Sequence, residues 1–101
     1  MAKKGYWIGH VNVTDPERYK DYIAANAVPF KTYGARFLVR NGDSQVPEGA
    51  LDGRRHVVIE FDSYETAKAC YNSPEYQAAI KIRVEASTGD LVIIEGYEGE
   101  S

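Results

Sequence analysis

The sequence has few of the residues that mark disulfide-bonded or membrane proteins. Its 101 residues include one cysteine, one methionine and one tryptophan. A single cysteine cannot form an internal disulfide, so the composition fits a reducing compartment. No run approaches the roughly eighteen apolar residues that a membrane helix needs, and the opening MAKKGYWIGHVNV lacks the apolar core of a signal peptide. We therefore expect a cytoplasmic protein without membrane contact.

An excess of basic residues and the usual cofactor motifs are also missing. The formal net charge is −3, whereas nucleic-acid binding needs clustered lysine and arginine to neutralise phosphates. No glycine-rich phosphate loop occurs. His10, His56 and Glu60 could supply metal ligands, or one histidine a haem ligand, but no HxH or HxxxH spacing supports this. We expect no nucleic-acid partner, no metal and no cofactor.

Tyrosine is the abundant aromatic residue. Eight tyrosines stand beside three phenylalanines and one tryptophan. A tyrosine ring is apolar while its hydroxyl can meet water, which suits pockets and subunit interfaces. An ordinary small core lined with tyrosines explains the same composition.

Alternating apolar residues and turn residues predict seven elements. Strands are predicted at 6–13, 35–40, 54–61 and 91–97, and helices at 15–33, 64–72 and 74–86. Ser and Asp before the helices accept first-turn amides, and Pro suits the first helical position. Pro29 predicts a kink or a fresh turn inside the first helix. The polar stretch between the second and third strands is a loop.

This order predicts one ferredoxin-like α+β domain over residues 1–101, written βαββααβ, with a four-stranded antiparallel-type sheet of order 4-1-3-2. The first and third strands are expected to run parallel in the centre, with the second and fourth at the edges. Helices then cover one face of the sheet. The other face needs another layer, so we expect a homodimer through the sheet face.

Four segments resemble the domain-of-unknown-function 1330 family, and together they cover nearly the whole chain. They are GYWIGHVNVTDPERYKDY, YGARFLVRNG, VVIEFDSYETAKACYNSPEYQAAIKIR and DLVIIEGY, and the most specific block is 60–77. The family's usual pattern has two glycines before the arginine of the second strand, whereas Gly34-Ala35-Arg36 keeps one.

The resemblance implies a subunit of the dimeric α+β barrel superfamily, in which two sheets pack face to face with the helices outside. Relatives in that superfamily include cofactor-free monooxygenases, muconolactone-isomerase-like proteins and haem-dependent peroxidases. The family itself has no assigned reaction, and a fold does not supply one.

Strand alternation groups the polar residues into a candidate site. Within their strands, His10, Arg36, Arg40, His56 and Glu60 have the parity of one polar face, opposite an apolar face that includes Val39. A carboxylate in an apolar strand needs a partner, and Arg40 on the neighbouring strand is the expected one.

Two interpretations of this set remain open. In the first, Arg36 or Arg40 binds an anionic or carbonyl-bearing small molecule, His10 or His56 transfers a proton, and Glu60 orients the histidine or acts as a base. In the second, the arginine–glutamate network is structural and fixes the register of a dimer.

Three further residues lie on predicted helices. Asn26 is on the apolar stripe of the first helix, where its amide bonds either a ligand or a backbone group near Pro29. Tyr76 is either a pocket hydroxyl or a core aromatic. Cys70 is interpreted as a small buried residue.

The sequence thus supports two functions. The first is a homodimer that binds a small organic molecule in a pocket of each subunit, with cofactor-free monooxygenase or isomerase chemistry. The second is a non-catalytic binding or assembly module.

Overall fold

The computed structural model describes residues 3–98 and contains the seven predicted elements in the predicted order. They are β1 (Gly5–Val13), α1 (Pro16–Thr32), β2 (Arg36–Arg40), β3 (Arg55–Phe61), α2 (Tyr64–Asn72), α3 (Pro74–Ala86) and β4 (Ser87–Glu95). The main difference is that β4 begins directly after α3, four residues before the predicted strand. No helix within residues 3–98 is long and apolar enough to cross a membrane.

The four strands form one sheet of order β2-β3-β1-β4, which is the predicted order read from the other edge. Every neighbouring pair is antiparallel. The expectation that β1 and β3 run parallel was wrong. The α1 crossover returns the chain so that β1 and β2 point the same way, and the chain reverses before β3, which must therefore oppose both.

All three helices begin at the side-chain caps that the sequence predicts. Asp15, Ser63 and Ser73 each accept a hydrogen bond from the backbone N–H three residues further on, at 3.0–3.2 Å. Such a cap satisfies one of the free amides of a first helical turn.

Pro29 lies inside α1, and the helix continues past it to Thr32. Proline therefore does not separate two helices here. The helix ends at Tyr33, whose N–H donates to the Pro29 carbonyl at 3.0 Å. Gly34 follows with a φ of +70°, a conformation that glycine adopts without steric cost.

Trp7 marks the sheet face that the helices cover. Its indole N–H donates to the Ala67 carbonyl of α2 at 2.9 Å. Its ring lies 4.8 Å from the Tyr76 ring and 5.3 Å from the rings of Phe30 and Phe61, measured between centroids. Because side chains alternate along a strand, the odd-numbered residues of β1 face the helices and the even-numbered ones face away.

The sheet face turned away from the helices carries no further layer within the described residues; we call it the open face. The strand register brings together an apolar patch on it, formed by Ile8, Val39, Val58, Val92 and Ile94. Val39, Val92 and Ile94 are 41–48% exposed. A contiguous apolar patch of this kind is typical of an interaction surface.

Candidate functional site

A β-bulge at Leu38 decides which face each side chain of β2 occupies. Phe37 pairs with Ile59, but Val39 pairs with Val58, so Leu38 is an extra residue. A bulge of one residue reverses the alternation beyond it. Val39, predicted on the apolar face opposite the polar set, therefore lies on the open face. Arg40 lies on the helix side, with its guanidinium carbon 4.2 Å from the centroid of the Phe37 ring.

The predicted Arg40–Glu60 pair was therefore wrong, and Arg36 takes its place. Arg36 Nε donates to Glu60 Oε1 at 3.0 Å, and the Tyr6 hydroxyl donates to Oε2 at 3.0 Å. Arg36 Nη1 also pairs with Asp62 at 3.1 Å. The hydrogen bonds from Arg36 and then Tyr6 lower the pKa of Glu60 below its usual value. Glu60 thus remains ionised within an apolar strand.

The two histidines meet on the same open face. His10 and His56 are directly opposite in the β1–β3 register, and their Nδ1 atoms lie 3.0 Å apart. At that distance one nitrogen carries the proton and the other accepts it. Glu60 is four residues from His56 along β3, about 13 Å at roughly 3.3 Å per residue. The predicted catalytic residues therefore share a face, as expected, but do not form one contact group.

A cavity lies on the other side of the sheet, under helices α1 and α3. Its volume is about 600 Å³, and its most buried wall is aromatic. Of the predicted ligand-binding residues, Arg40, Asn26 and Tyr76 line it, whereas Arg36 is on the open face. The structure thus divides the predicted site into two groups on opposite faces.

Two tyrosines and an arginine form a hydrogen-bonded chain in the cavity wall. The hydroxyl oxygens of Tyr22 and Tyr76 are 2.7 Å apart, and Arg83 Nη1 donates to the Tyr76 hydroxyl at 2.9 Å. Tyr76 is 1% exposed, and this burial raises its pKa well above the ordinary value. The hydroxyl is therefore neutral at physiological pH and keeps a proton that it can donate.

Tyr22 and Arg83 were not predicted as site residues. Each carried a local signal, because Tyr22 is on the inward stripe of α1 and Arg83 shares a helical face with Tyr76. Neither signal shows that α1 and α3 bring these side chains together.

Asn26 presents its amide to the cavity. The residue is 6% exposed and lines the cavity wall. Within residues 3–98 its side chain makes no hydrogen bond, and no fully buried side-chain nitrogen or oxygen lacks a partner, so the Asn26 amide is accessible from the cavity. Of the two predicted alternatives, the bond to a backbone group near Pro29 is not observed among residues 3–98. An amide in this position is a ready partner for a ligand.

Cys70 contributes no reactive group to the cavity. Cys70 is fully buried, and its burial raises the pKa of the thiol to about 12. Over the part of the chain that the structure describes, no three His, Cys, Asp or Glu residues are placed to hold a metal ion.

The fold and the cavity together define the class of this protein: a ferredoxin-like α+β domain with one open sheet face and a cavity beneath its helices. The chain belongs to the domain of unknown function family DUF1330, whose profile matches residues 4–97. No curated protein matches the chain.

Several solved structures share the fold. A protein of unknown function from Rhodopseudomonas palustris has a TM-score of 0.75 at 17% identity, covering 97% of this chain and 85% of its own. SnoaB, a cofactor-independent oxygenase from Streptomyces nogalater, has a TM-score of 0.66 at 12% identity, covering 96% of each chain. A dimeric ferredoxin-like protein of unknown function from Thermobifida fusca has a TM-score of 0.60 at 16% identity, covering 95% and 92%. At these identities the likeness establishes the fold alone.

Proposed function

We propose that the protein is a homodimer in which each subunit binds a small organic molecule in its helix–sheet cavity and acts on it by cofactor-free chemistry of the oxygenase or isomerase kind. The observation that carries this proposal is the cavity itself. It has the volume of a small-molecule site, an aromatic wall, and a few polar groups from α1 and α3 that converge on it.

The tyrosine pair is the group best suited to chemistry. A substrate oxygen placed against the Tyr22 and Tyr76 hydroxyls would accept a hydrogen bond from one of them. Arg83 donates to Tyr76 and so makes that hydroxyl a stronger donor. Donors fixed in a site of low water content stabilise negative charge that develops on a substrate oxygen. Enolate-forming reactions, which include isomerisations, develop such charge.

The dimer is supported by the open face. Val39, Val92 and Ile94 leave apolar surface exposed there, and a second sheet packed against it would bury that surface. The dimeric ferredoxin-like neighbour has the same fold. A second subunit packed against the open face would also exclude water from the Arg36–Glu60 pair, and this would strengthen the hydrogen bonds of the pair.

The alternative, a non-catalytic assembly module, is favoured by one observation. The His10–His56 and Arg36–Glu60 contacts lie on the open face, away from the cavity. We therefore assign these four residues to the subunit contact, and we place the chemistry in the cavity. The assembly interpretation then applies to the open face of the sheet, and the ligand-binding interpretation applies to the helix-covered face.

The ligand-binding half of the proposal is tested by thermal-shift screening of a small-organic-molecule library. Hits should raise the melting temperature of the wild type and fail to do so with Gly9→Phe, because Gly9 lines the cavity and its substituent would occupy that space. Gly42→Phe is the matched control, since no atom lies within 4 Å of the added carbon. Hits that stabilise Gly9→Phe as strongly as the wild type would place binding elsewhere.

The assembly half is tested by light scattering at micromolar concentration. The wild type should have the mass of a dimer, and Val92→Asp on the open face should have that of a monomer. Val28→Asp is the control, because Val28 is 58% exposed on α1 and lines neither the open face nor the cavity. A wild-type protein with the mass of a monomer would rule out the proposed dimer.

A further inference from the structure

The six arginines of this chain divide into two sets according to their partners. Arg18, Arg36 and Arg54 pair with Glu85, Glu60 and Asp90 at 2.9, 3.0 and 3.2 Å. The other three, Arg40, Arg55 and Arg83, all line the cavity. None of these three forms an ion pair with a carboxylate within 4.0 Å among residues 3–98. An acidic protein therefore gathers its carboxylate-free guanidinium groups around one cavity.

Each cavity arginine is held by a neutral group instead. Arg40 lies over the Phe37 ring at 4.2 Å, and Arg55 lies 5.8 Å from the centroid of the Tyr19 ring. Arg83 donates to a tyrosine hydroxyl, as described above. Contacts with ring faces and a hydroxyl orient a guanidinium group but leave most of its five N–H donors open. These donors remain available to a ligand.

The charge of the cavity is not balanced from within. Asp90 is the acidic residue in the cavity lining, and it is already bonded to Arg54. Arg55 and Arg83 are half-buried, and a positive charge partly removed from water is costly without a counterion. An anionic ligand would supply such a counterion.

The aromatic residues of the cavity wall indicate what the rest of that ligand would be. Trp7, Phe30 and Tyr71 present aromatic surface to the cavity. Such surface favours a planar ring through offset or edge-to-face contacts. The free amide of Asn26, which donates and accepts, suits a further polar substituent.

We infer that the cavity is selective for a small aromatic carboxylate, which the cavity arginines bind through its anionic group while the aromatic wall packs against its ring. This inference rests on the proposed function, because it names the class of ligand that the same cavity takes. A planar guanidinium fork matches a carboxylate with two parallel hydrogen bonds. A positive cavity on a protein of net charge −3 would also attract anions and repel cations.

The test compares acids with their neutral amides. Benzoate, 2-naphthoate and anthracene-2-carboxylate are each titrated beside the matched carboxamide. The readout is the fluorescence of Trp7, which is the single tryptophan and lies in the cavity wall. The best acid should bind about tenfold or more tightly than its amide, as charge-assisted hydrogen bonds require. Its affinity should fall as salt is added.

Variants connect that preference to the arginines. Arg40→Gln, Arg55→Gln and Arg83→Gln should each reduce the acid–amide ratio, whereas Arg18→Gln should leave it unchanged, because Arg18 is outside the cavity and paired with Glu85. If Arg83→Gln fails to fold by circular dichroism, Arg40→Gln and Arg55→Gln decide the result.

The outcomes separate this inference from the proposed function. Equal binding of acids and amides, or a preference that the cavity variants do not change, overturns charge selection and leaves ligand binding in place. The same holds if no acid binds while neutral library molecules stabilise the protein through the cavity. If nothing binds in either assay, the proposed function itself is overturned, and the inference falls with it.

Discussion

Replacing Glu60 with Gln should destabilise the fold by about 1–2 kcal/mol. The side chain keeps its shape but loses its charge, so Arg36 loses an ionic partner and Tyr6 donates to a neutral oxygen. Glu60 and Arg36 are 19% and 41% exposed. A partly exposed ion pair contributes about 0.5–1 kcal/mol, and a hydrogen bond to a charged group about 1.5 kcal/mol or more. The exposure of the pair in the single chain favours the lower range, whereas a pair fully buried by a partner subunit would cost about 3–5 kcal/mol when broken.

The measurement is urea unfolding followed by circular dichroism at one fixed protein concentration, because the unfolding of the proposed dimer would depend on concentration. A loss of 1–2 kcal/mol corresponds to a fall in melting temperature of roughly 5–15 °C for a domain of this size. The double-mutant cycle is the sharper comparison. Glu60→Gln should couple to Arg36→Gln by about 0.5–1 kcal/mol and should not couple to Arg40→Gln.

The same variant should change how stability depends on pH. Hydrogen bonds from Arg36 and Tyr6 lower the folded pKa of Glu60, so its contribution is fully present above the unfolded pKa of about 4.3. The contribution is lost as the pH falls through the lower folded pKa. The wild type should therefore lose more stability than Glu60→Gln on acidification. Coupling to Arg40 in place of Arg36, or an unchanged stability and pH profile, would refute the assignment.

Three further predictions concern the fold around the cavity. Gly5→Ala should destabilise the fold by about 1–3 kcal/mol in urea unfolding, because the added carbon would overlap the backbone at the start of α2. Gly9→Ala is the control and should be neutral or stabilising, because the atom nearest to its added carbon is 3.7 Å away. Equal effects of the two variants would contradict this. Cys70, with a pKa of about 12, should react with a thiol reagent at pH 8 only after denaturation, and rapid reaction of the native protein would show that it is accessible. Tyr76→Phe should destabilise the fold by about 1–3 kcal/mol in urea unfolding, since Tyr22 and Arg83 each lose a hydrogen-bond partner. Tyr97→Phe is the control, because Tyr97 is 77% exposed. An equal effect of both variants would show that the buried hydroxyl is not stabilising.

Local chemistry made much of the fold predictable. Asp15, Ser63 and Ser73 start helices because each side chain accepts a hydrogen bond from a backbone N–H of the first turn. This interaction is local, so the nearby sequence is enough to predict it. The strand order then follows from connection rules. The direction of β3 was predicted wrongly. It is set by the reversal of the chain between β2 and β3, and not by any single residue.

The site was less predictable because it depends on pairing between strands. Parity alone placed Arg36 and Arg40 on one face, and the bulge at Leu38 separates them. Nothing in the letters RFLVR marks that bulge. The tyrosine pair joins residues 54 positions apart in the sequence, so it follows from how α1 and α3 pack and not from a motif.

Ser73 is the shared boundary of two helices. Its hydroxyl donates to the Cys70 carbonyl at 2.7 Å at the end of α2, and it accepts from the Tyr76 N–H at 3.2 Å at the start of α3. Because no spacer separates the helices, one residue inserted at this corner would separate the two caps that Ser73 provides, and one helix would lose its capping hydrogen bond. The exposed 41–50 segment has no such constraint. Length variation in this protein should therefore be confined to that loop, and the α2–α3 corner should keep its spacing.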